Sequence, residues 1–243
     1  MTFCTIIPTY NNARTVADIV QRTLEVCPHV IVVNDGSTDD TLAVLEPFKN
    51  QIHLITYPRN RGKGHALRLG LEAARRTGFD GAVTIDSDGQ HRPEEIPALA
   101  AAATDDNTLV VGSRNIQADG MPAGNTFANR FSNFWFRLQT GISLPDTQTG
   151  FRLYPLHHLP CLGLLTARYE SELELLVFSA WRGVRLVPVD ISVTYPEDRV
   201  THFRPFRDFS RISLLNSILC ILAILYGYPR MLLTKLFKPV NTQ

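Results

Sequence analysis

The sequence predicts an α/β protein, a parallel sheet with helices packed against it, followed by an apolar helical tail. Three observations carry this reading. Through about the first half of the chain, short apolar runs alternate with turns and with helix-spaced apolar residues, as right-handed strand–helix–strand crossovers require. Residues 30–33 form a continuous β-branched run, the pattern of a strand covered on both faces. Residues 212–237 are strongly apolar, interrupted by Asn216, Ser217, Gly227, Pro229, Arg230 and Lys235.

The elements follow in order. Residues 3–8 are expected to form the first strand, with a polar turn at 9–12 behind it. Val16, Ile19, Val20 and Leu24 then fall on one helix face. The strand at 30–33 ends in Asn34-Asp35-Gly36-Ser37-Thr38-Asp39, where Ser37, Thr38 and Asp39 suit capping of the next helix. A strand is expected at 53–57, and a helix after Gly64 through Ala66, Leu67, Leu69, Leu71 and Ala74. A strand at 81–85, a helix start at Pro93-Glu94-Glu95 and a strand at 109–112 complete the regular half.

The second half predicts a helix over 127–138, a polar turn over 146–152, a helix over 170–181 and a strand over 184–193. A loop rich in charge and aromatic residues is expected over 195–211. The tail is apolar from 212 to 228, slightly short of the roughly 20 residues a spanning helix needs. Pro229-Arg230 is expected to break it, which suits an interfacial or re-entrant helix pair. Docking against its own domain or a partner subunit is the alternative. An α/β domain over 1–210 and an apolar helical tail over 211–243, suited to membrane association, follow.

Composition bounds the function classes. With 243 residues, 44% hydrophobic and 19% charged, the chain can bury a sizeable core without disulfides or structural metal. A net charge of +1 supplies no global field toward nucleic acid. Cys4, Cys27, Cys161 and Cys220 are scattered and read as packing thiols. The N-terminus lacks a basic stretch and a long apolar run, so no secretion signal is expected.

Ligands of open parallel sheets bind beyond the carboxyl ends of the strands. The polar clusters fall there: Tyr10-Asn11-Asn12, Asp35-Gly36, residues 59–63, residues 86–90 and Ser113-Arg114. The strand at 81–85 delivers Asp86 and Asp88, two residues apart, and Gln90 follows. Carboxylates and amide oxygens suit hard ions such as Mg²⁺ or Mn²⁺, which bridge to substrate phosphates. Alone, the same residues also suit a capped strand-to-helix turn. Asp35 could accept hydrogen bonds from a nucleobase or ribose. Arg59-Asn60-Arg61-Gly62-Lys63-Gly64-His65 places cations and glycines at a helix N-terminus, which favours anions, though it also reads as a solvated basic loop.

Taken together and in order, Pro8-Thr9-Tyr10-Asn11-Asn12, Val33-Asn34-Asp35-Gly36-Ser37-Thr38-Asp39, Asn60-Arg61-Gly62-Lys63-Gly64 and Asp86-Ser87-Asp88-Gly89-Gln90-His91 resemble family 2 glycosyltransferases. The resemblance is to the branch with dolichyl- and polyprenyl-phosphate sugar synthases. Gly112-Ser113-Arg114, the run from Asp146 through Gln148 to Arg152, and Glu170-Ser171-Glu172 match as well, so it covers about the first 210 residues. It implies a GT-A fold (Rossmann-like, a mostly parallel sheet flanked by helices), a UDP- or GDP-linked sugar donor, and inversion at the anomeric carbon.

By motif position, the resemblance assigns Pro8, Tyr10, Asn12, Asp35, Lys63, Ser87, Arg114 and Gln148 to the nucleotide sugar. Asp86, Asp88 and Gln90 are assigned to a Mg²⁺ or Mn²⁺ ion and the diphosphate, and Arg152 to phosphate or acceptor contact. Transfer to a hydroxyl needs a base, for which Asp146, Glu170 and Glu172 are the candidates. A lipid phosphate is already anionic and needs none. Many members carry a Glu-Asp pair at the base position, and none lies near Glu170 here, which favours a phosphate acceptor.

The segment 199–208 resembles the loop that lies between catalytic domain and membrane in lipid-phosphate-using relatives, with Arg199, His202 and Arg204 as acceptor-phosphate contacts. Cations around the tail favour a peripheral or tail-anchored protein at the cytoplasmic membrane face. Homo-oligomerisation stays open. A hydroxyl acceptor, a sugar nucleotidyltransferase and a non-catalytic membrane scaffold are the alternatives. Nucleotidyltransferases usually place a Gly-rich basic loop after the first strand, where this chain has Thr9-Tyr10-Asn11-Asn12.

Overall fold

The computed structural model describes residues 1–114, 123–159, 166–194 and 205–236. In chain order the elements are β1 (Phe3–Thr9), α1 (Val16–Val26), β2 (Val30–Asn34), α2 (Thr41–Leu45), β3 (Ile52–Thr56), α3 (Lys63–Thr77), β4 (Gly81–Thr84), α4 (Ile96–Ala102), β5 (Thr108–Arg114) and α5 (Ala123–Thr140). They continue with β6 (Arg152–Pro155), α6 (Glu170–Trp181), β7 (Arg185–Ile191), α7 (Pro205–Leu222) and α8 (Tyr228–Leu236).

The strands form one seven-stranded sheet in the order β3-β2-β1-β4-β6-β5-β7. β1 pairs in parallel with both β2 and β4, so the chain winds outward to one side and then crosses to the other. That switch leaves a crevice at the carboxyl ends of β1 and β4. β2 is buried at all five positions because both faces are covered. Ile31 and Val33 face Leu67 and Leu71 of α3, while Val30 and Val32 face Ile19 and Val20 of α1.

Three expectations are corrected. The polar turn at 146–152 runs into a strand, β6, inserted antiparallel between β4 and β5, with Thr84 opposite Arg152 and Val110 opposite Leu153. A four-residue strand that begins with Arg and ends with Pro carries no alternation to detect. Residues 205–211 are helical, not loop, because α7 starts at Pro205, a residue suited to a first helical turn.

Nor does Pro229 break the tail. Ala223–Gly227 forms a π-turn in which the Tyr228 amide bonds back to the Ala223 carbonyl, and α8 continues from there. The wider turn sits where the proline ring and its missing N–H would otherwise disrupt an α-helix.

The tail packs along α5 and α6. Leu215, Leu219 and Ala223 are buried with Trp181, whose indole Nε1 donates to the Gln139 carbonyl at 2.8 Å. Gln139 Nε2 in turn donates to Asn216 Oδ1 at 3.0 Å. Gly227 lies against the indole, and a Cβ there would stand 2.5 Å from it. Gly227→Val is therefore expected to cost about 2 kcal/mol by overpacking and to lower Tm by about 6 °C. An unchanged thermal transition would contradict this docking.

Candidate active site

The first two polar loops are tied to each other. Asn11, in the left-handed region at φ 51°, accepts from the Thr38 amide through its side chain at 2.8 Å. Its own amide donates to Ser37 Oγ at 2.9 Å. Asp39 takes the Thr41 amide with one oxygen and the Ala13 amide with the other, at 3.0 and 3.1 Å. Ser37 and Thr38 thus brace the first loop rather than cap α2, which corrects the capping expectation. Asn12 Nδ2 donates to Ser87 Oγ at 2.8 Å, and Ser87 Oγ donates to the Pro8 carbonyl at 3.2 Å. Asn12 and Ser87 thereby lock the β1 and β4 ends together.

Asp35 is buried, and its two oxygens accept the Arg61 and Gly62 amides at 2.6 and 2.8 Å. It holds the 59–62 loop against the end of β2. Tyr57 lies beside it, its phenol pushed well above the ordinary value by burial and then by the Asp35 carboxylate. The His65 ring meets Tyr57 edge-on. Pro8 and Tyr10, at the end of the neighbouring strand β1, lie on the same sheet edge.

At the crevice floor Lys63 joins two carboxylates, with Nζ 2.7 Å from Asp86 Oδ1 and 3.1 Å from Glu172 Oε1. Burial alone would lower the Lys63 pKa, but Asp86 and Glu172 outweigh it and raise it. Burial would likewise raise Asp86, and Lys63 overrides this and holds the carboxyl below its usual range. Glu172 stays above its ordinary value because burial exceeds the help from Lys63. The Gly150 backbone passes directly over the pair: a Cβ there would lie 2.8 Å from both Asp86 Oδ2 and Lys63 Nζ.

Asp88 differs from Asp86. Burial, and then repulsion by Asp86, raise its pKa. Among the described residues its oxygens receive only Gln90, from the backbone amide at 3.1 Å and Nε2 at 2.6 Å. Two carboxylates and an amide oxygen with a charge surplus form a hard donor set that a divalent cation fits. Among the described residues no group of three or more His, Cys, Asp or Glu could hold an ion by itself. A cation held by Asp88, Asp86 and Gln90 would therefore need further oxygens from a substrate.

A second ion pair stands beside the first. Arg114 grips Asp146 in a fork, Nε to Oδ2 at 2.6 Å and Nη2 to Oδ1 at 3.0 Å. Asp146 also accepts Asn129 Nδ2 at 2.6 Å and the Gln148 amide at 2.9 Å. Burial would raise the Asp146 pKa, but Arg114 and these donors hold it low. A fully engaged, low-pKa carboxylate is poorly suited to proton abstraction, and Asp146 here braces Arg114 and the 145–149 loop.

A profile described as Glycosyl transferase family 2 matches residues 4–160. The chain belongs to glycosyl transferase family 2. Polyprenol monophosphomannose synthase of Mycolicibacterium smegmatis is 29% identical over 208 residues, spanning 79% of this chain and 76% of that protein. Undecaprenyl-phosphate mannosyltransferase of Micrococcus luteus is 30% identical over 206 residues, spanning 79% of this chain and 83% of that protein. A Methanococcus voltae UDP-N-acetylglucosamine–dolichyl-phosphate N-acetylglucosaminyltransferase is 29% identical over 214 residues, spanning 79% of this chain and 85% of that protein.

The fold is also that of solved transferases. Glucosyl-3-phosphoglycerate synthase from Mycobacterium tuberculosis, solved with Mn²⁺, UDP and glucosyl-3-phosphoglycerate, matches at TM-score 0.61 and 21% identity, covering 92% of this chain and 78% of that one. Mannosyl-3-phosphoglycerate synthase from Rubrobacter xylanophilus matches at TM-score 0.63 and 19% identity, covering 100% of this chain and 77% of that one. The sheet, with its parallel strands and the antiparallel β6, is a GT-A fold, and the chain is a glycosyltransferase.

Within this family-2 site the sequence candidates divide. The crevice gathers Pro8, Tyr10, Asp35, Lys63, Asp86, Asp88, Gln90, Arg114 and Glu172, all carried by the carboxyl ends of strands or the adjoining helices. Gln148 sits at the rim, its Nε2 donating to the Ala128 carbonyl at 3.2 Å. Glu170 is buried on the first turn of α6. Arg152 is corrected: it is wholly buried, donating to the Glu172 and Thr147 carbonyls at 2.7 and 2.9 Å, so it supports the site from below. Arg199, His202 and Arg204 lie outside the described residues.

Sequence reasoning missed the residues that shape the 145–149 loop. Asn129 holds Asp146, and Asn133 takes the Thr147 amide at 3.0 Å while donating to the Pro145 carbonyl at 2.7 Å. Their signal is a pair of asparagines four apart on the inward face of α5. His91, part of the Asp86–His91 motif but assigned no role from sequence, is buried against Phe151, and burial pushes its pKa down to about 4, leaving it neutral.

Proposed function

We propose that this chain moves a sugar from a nucleoside diphosphate to polyprenyl phosphate, with inversion at the anomeric carbon. The observation that carries this reading is the commitment of its carboxylates. Asp146 is spent on Arg114 and Asn129, and Glu172 on Lys63. A hydroxyl acceptor would need a free base, which leaves Glu170 of the three candidates, buried on the first turn of α6. A phosphate monoester is already a monoanion well below neutral pH, becomes a dianion above a pKa of about 6, and needs no base. Relatives named for polyprenyl, undecaprenyl and dolichyl phosphates support the same acceptor class.

In this reading Pro8, Tyr10 and Asp35 hold the nucleoside, and Asp88, Asp86 and Gln90 hold Mg²⁺ or Mn²⁺ against the diphosphate. The ion would supply neutralisation of the leaving diphosphate. Lys63 fixes the Asp86 rotamer, and Arg114, with Asp146 behind it, presents positive charge where an anionic acceptor approaches. The enzyme works at the cytoplasmic face of a membrane.

The test is a panel of UDP- and GDP-linked sugars with Mg²⁺ or Mn²⁺, following product into the organic phase with polyprenyl phosphate as acceptor. Product is expected there, and Glu170→Gln should retain it. Absence of organic-phase product with every donor would overturn the proposal, as would loss of activity in Glu170→Gln together with transfer to a hydroxyl.

A further inference from the structure

Helix α5 carries more exposed aromatic surface than its packing explains. Phe127, Phe134 and Leu138 are 66%, 60% and 49% exposed. They share one helix face with the half-buried Phe131 and Trp135, and their rings stack and meet edge-on along it. Arg130 and Arg137, both exposed and one heptad apart, run along one edge of that face. The opposite face of the same helix carries Asn129 and Asn133, which organise the 145–149 loop.

This stripe continues onto the tail. The Tyr228 hydroxyl donates to the Leu138 carbonyl, joining the two helices at that point. On the tail Leu214, Ile218, Ile221, Leu225 and Leu232 stand exposed, opposite the buried Leu215, Leu219 and Ala223. Ile224, Leu225 and Tyr226 are consecutive, and all three are exposed, at 69%, 72% and 39%. Apolar surface therefore spans far more of the helix circumference than the narrow seam one packed helix covers.

The stretch Ser210–Thr234 has 25 residues and is 28% buried, and its roughly 37 Å would reach across a bilayer core of about 30 Å. Its contacts forbid that while it is docked. They run from Leu215 and Asn216 through Gly227 on Trp181 to Thr234 against Gly183. That is almost the whole of the stretch, so crossing a membrane would break every one of them.

We propose that α5 and the tail form one continuous face that lies on a lipid bilayer, with the tail in the plane of the membrane surface rather than across it. Aromatic and aliphatic side chains enter the headgroup boundary, and Arg130 and Arg137 meet anionic headgroups. Because α5 bears the stripe on one side and the Asn129–Asp146–Arg114 cluster on the other, the same contact brings the crevice rim to the level of lipid headgroups. The proposal rests on the lipid-acceptor reading for its purpose but not for its test.

The test uses the full chain and phosphatidylcholine–phosphatidylglycerol vesicles that contain no polyprenyl phosphate and carry bromine on their acyl chains. The chain has two tryptophans, Trp135 on the stripe and the buried Trp181, so quenching of emission reports which one meets lipid. Quenching is expected in the wild type and should largely vanish in Trp135→Phe. The Phe127→Glu/Phe134→Glu pair, both side chains exposed, should weaken partitioning at least about tenfold with an unchanged circular-dichroism spectrum. Leu225→Glu should do the same from the tail side.

Quenching retained in Trp135→Phe would mean that the tail undocks and inserts, and would overturn the in-plane geometry. Equal partitioning of the variants would overturn the surface itself, as would a stable dimer that vesicles fail to dissociate. Since no acceptor is present, none of these results depends on whether polyprenyl phosphate is the substrate.

Discussion

Replacing Asp88 with alanine is expected to lower sugar transfer at least about a thousandfold while the protein stays folded. Asp88 contributes nothing to the core. Among the described residues its carboxylate bonds only to Gln90 of its own loop, and burial and Asp86 both disfavour its charge. Removing it relieves a repulsion, so the thermal transition should hold or rise slightly. A residue that opposes stability where it stands is explained by what it binds. Donor turnover measured beside a thermal melt checks both halves, and transfer at the wild-type rate would end the metal–diphosphate reading.

Lys63→Met separates the other half of the floor. The substitution keeps an unbranched stem but removes the ammonium, leaving Asp86 and Glu172 facing each other without their cation. Losing one partner of a buried ion pair costs about 3–5 kcal/mol. Lys63 and Asp86 side chains keep 18% and 25% of their exposure, so the expected loss is smaller, about 2–3 kcal/mol. Without Lys63, Glu172 titrates still further above its unfolded value. Its protonated form then favours the fold at low pH, and that advantage fades as pH rises through the raised pKa. The deficit should therefore shrink as pH falls below neutral. Glu172→Gln in the same chain should restore part of the stability but not the activity, because Asp86 loses its orienting cation either way. Unfolding midpoints across pH, with and without Glu172→Gln, decide the matter.

The regular half of the fold was legible because its cues are local. A β-branched run buried on both faces at 30–33 and the helix-spaced residues of α1 and α3 each answer to a single period. β6 was not, because what makes Arg152–Pro155 a strand is the pair of strands on either side of it, not its own pattern. Pro229 misled for a related reason: the π-turn before it absorbs a ring that a propensity argument rejects.

In the site, the strand-end residues could be placed because the parallel topology puts all those ends on one edge. What they touch could not be read so directly. Asp146 and Arg152 carry charges that suggested chemistry, yet one is consumed by Arg114 and Asn129, and the other lies beneath the floor. Charge type follows from the sequence, while commitment depends on contacts between residues far apart in the chain, such as Lys63 and Glu172.

The insertion of β6 between β4 and β5 also governs the order in which the protein can be built. β1 to β4 with their helices emerge first and can pair as they leave the ribosome, but one side of β4 waits unpaired until Pro155 has been synthesised. β5 appears earlier and has no place to dock until then, and Glu172 reaches Lys63 later still. A nascent chain therefore passes through a stage with an open sheet edge and a half-made crevice, where chaperone binding or mispairing would concentrate. The Lys63–Asp86–Glu172 floor is complete only when α6 arrives.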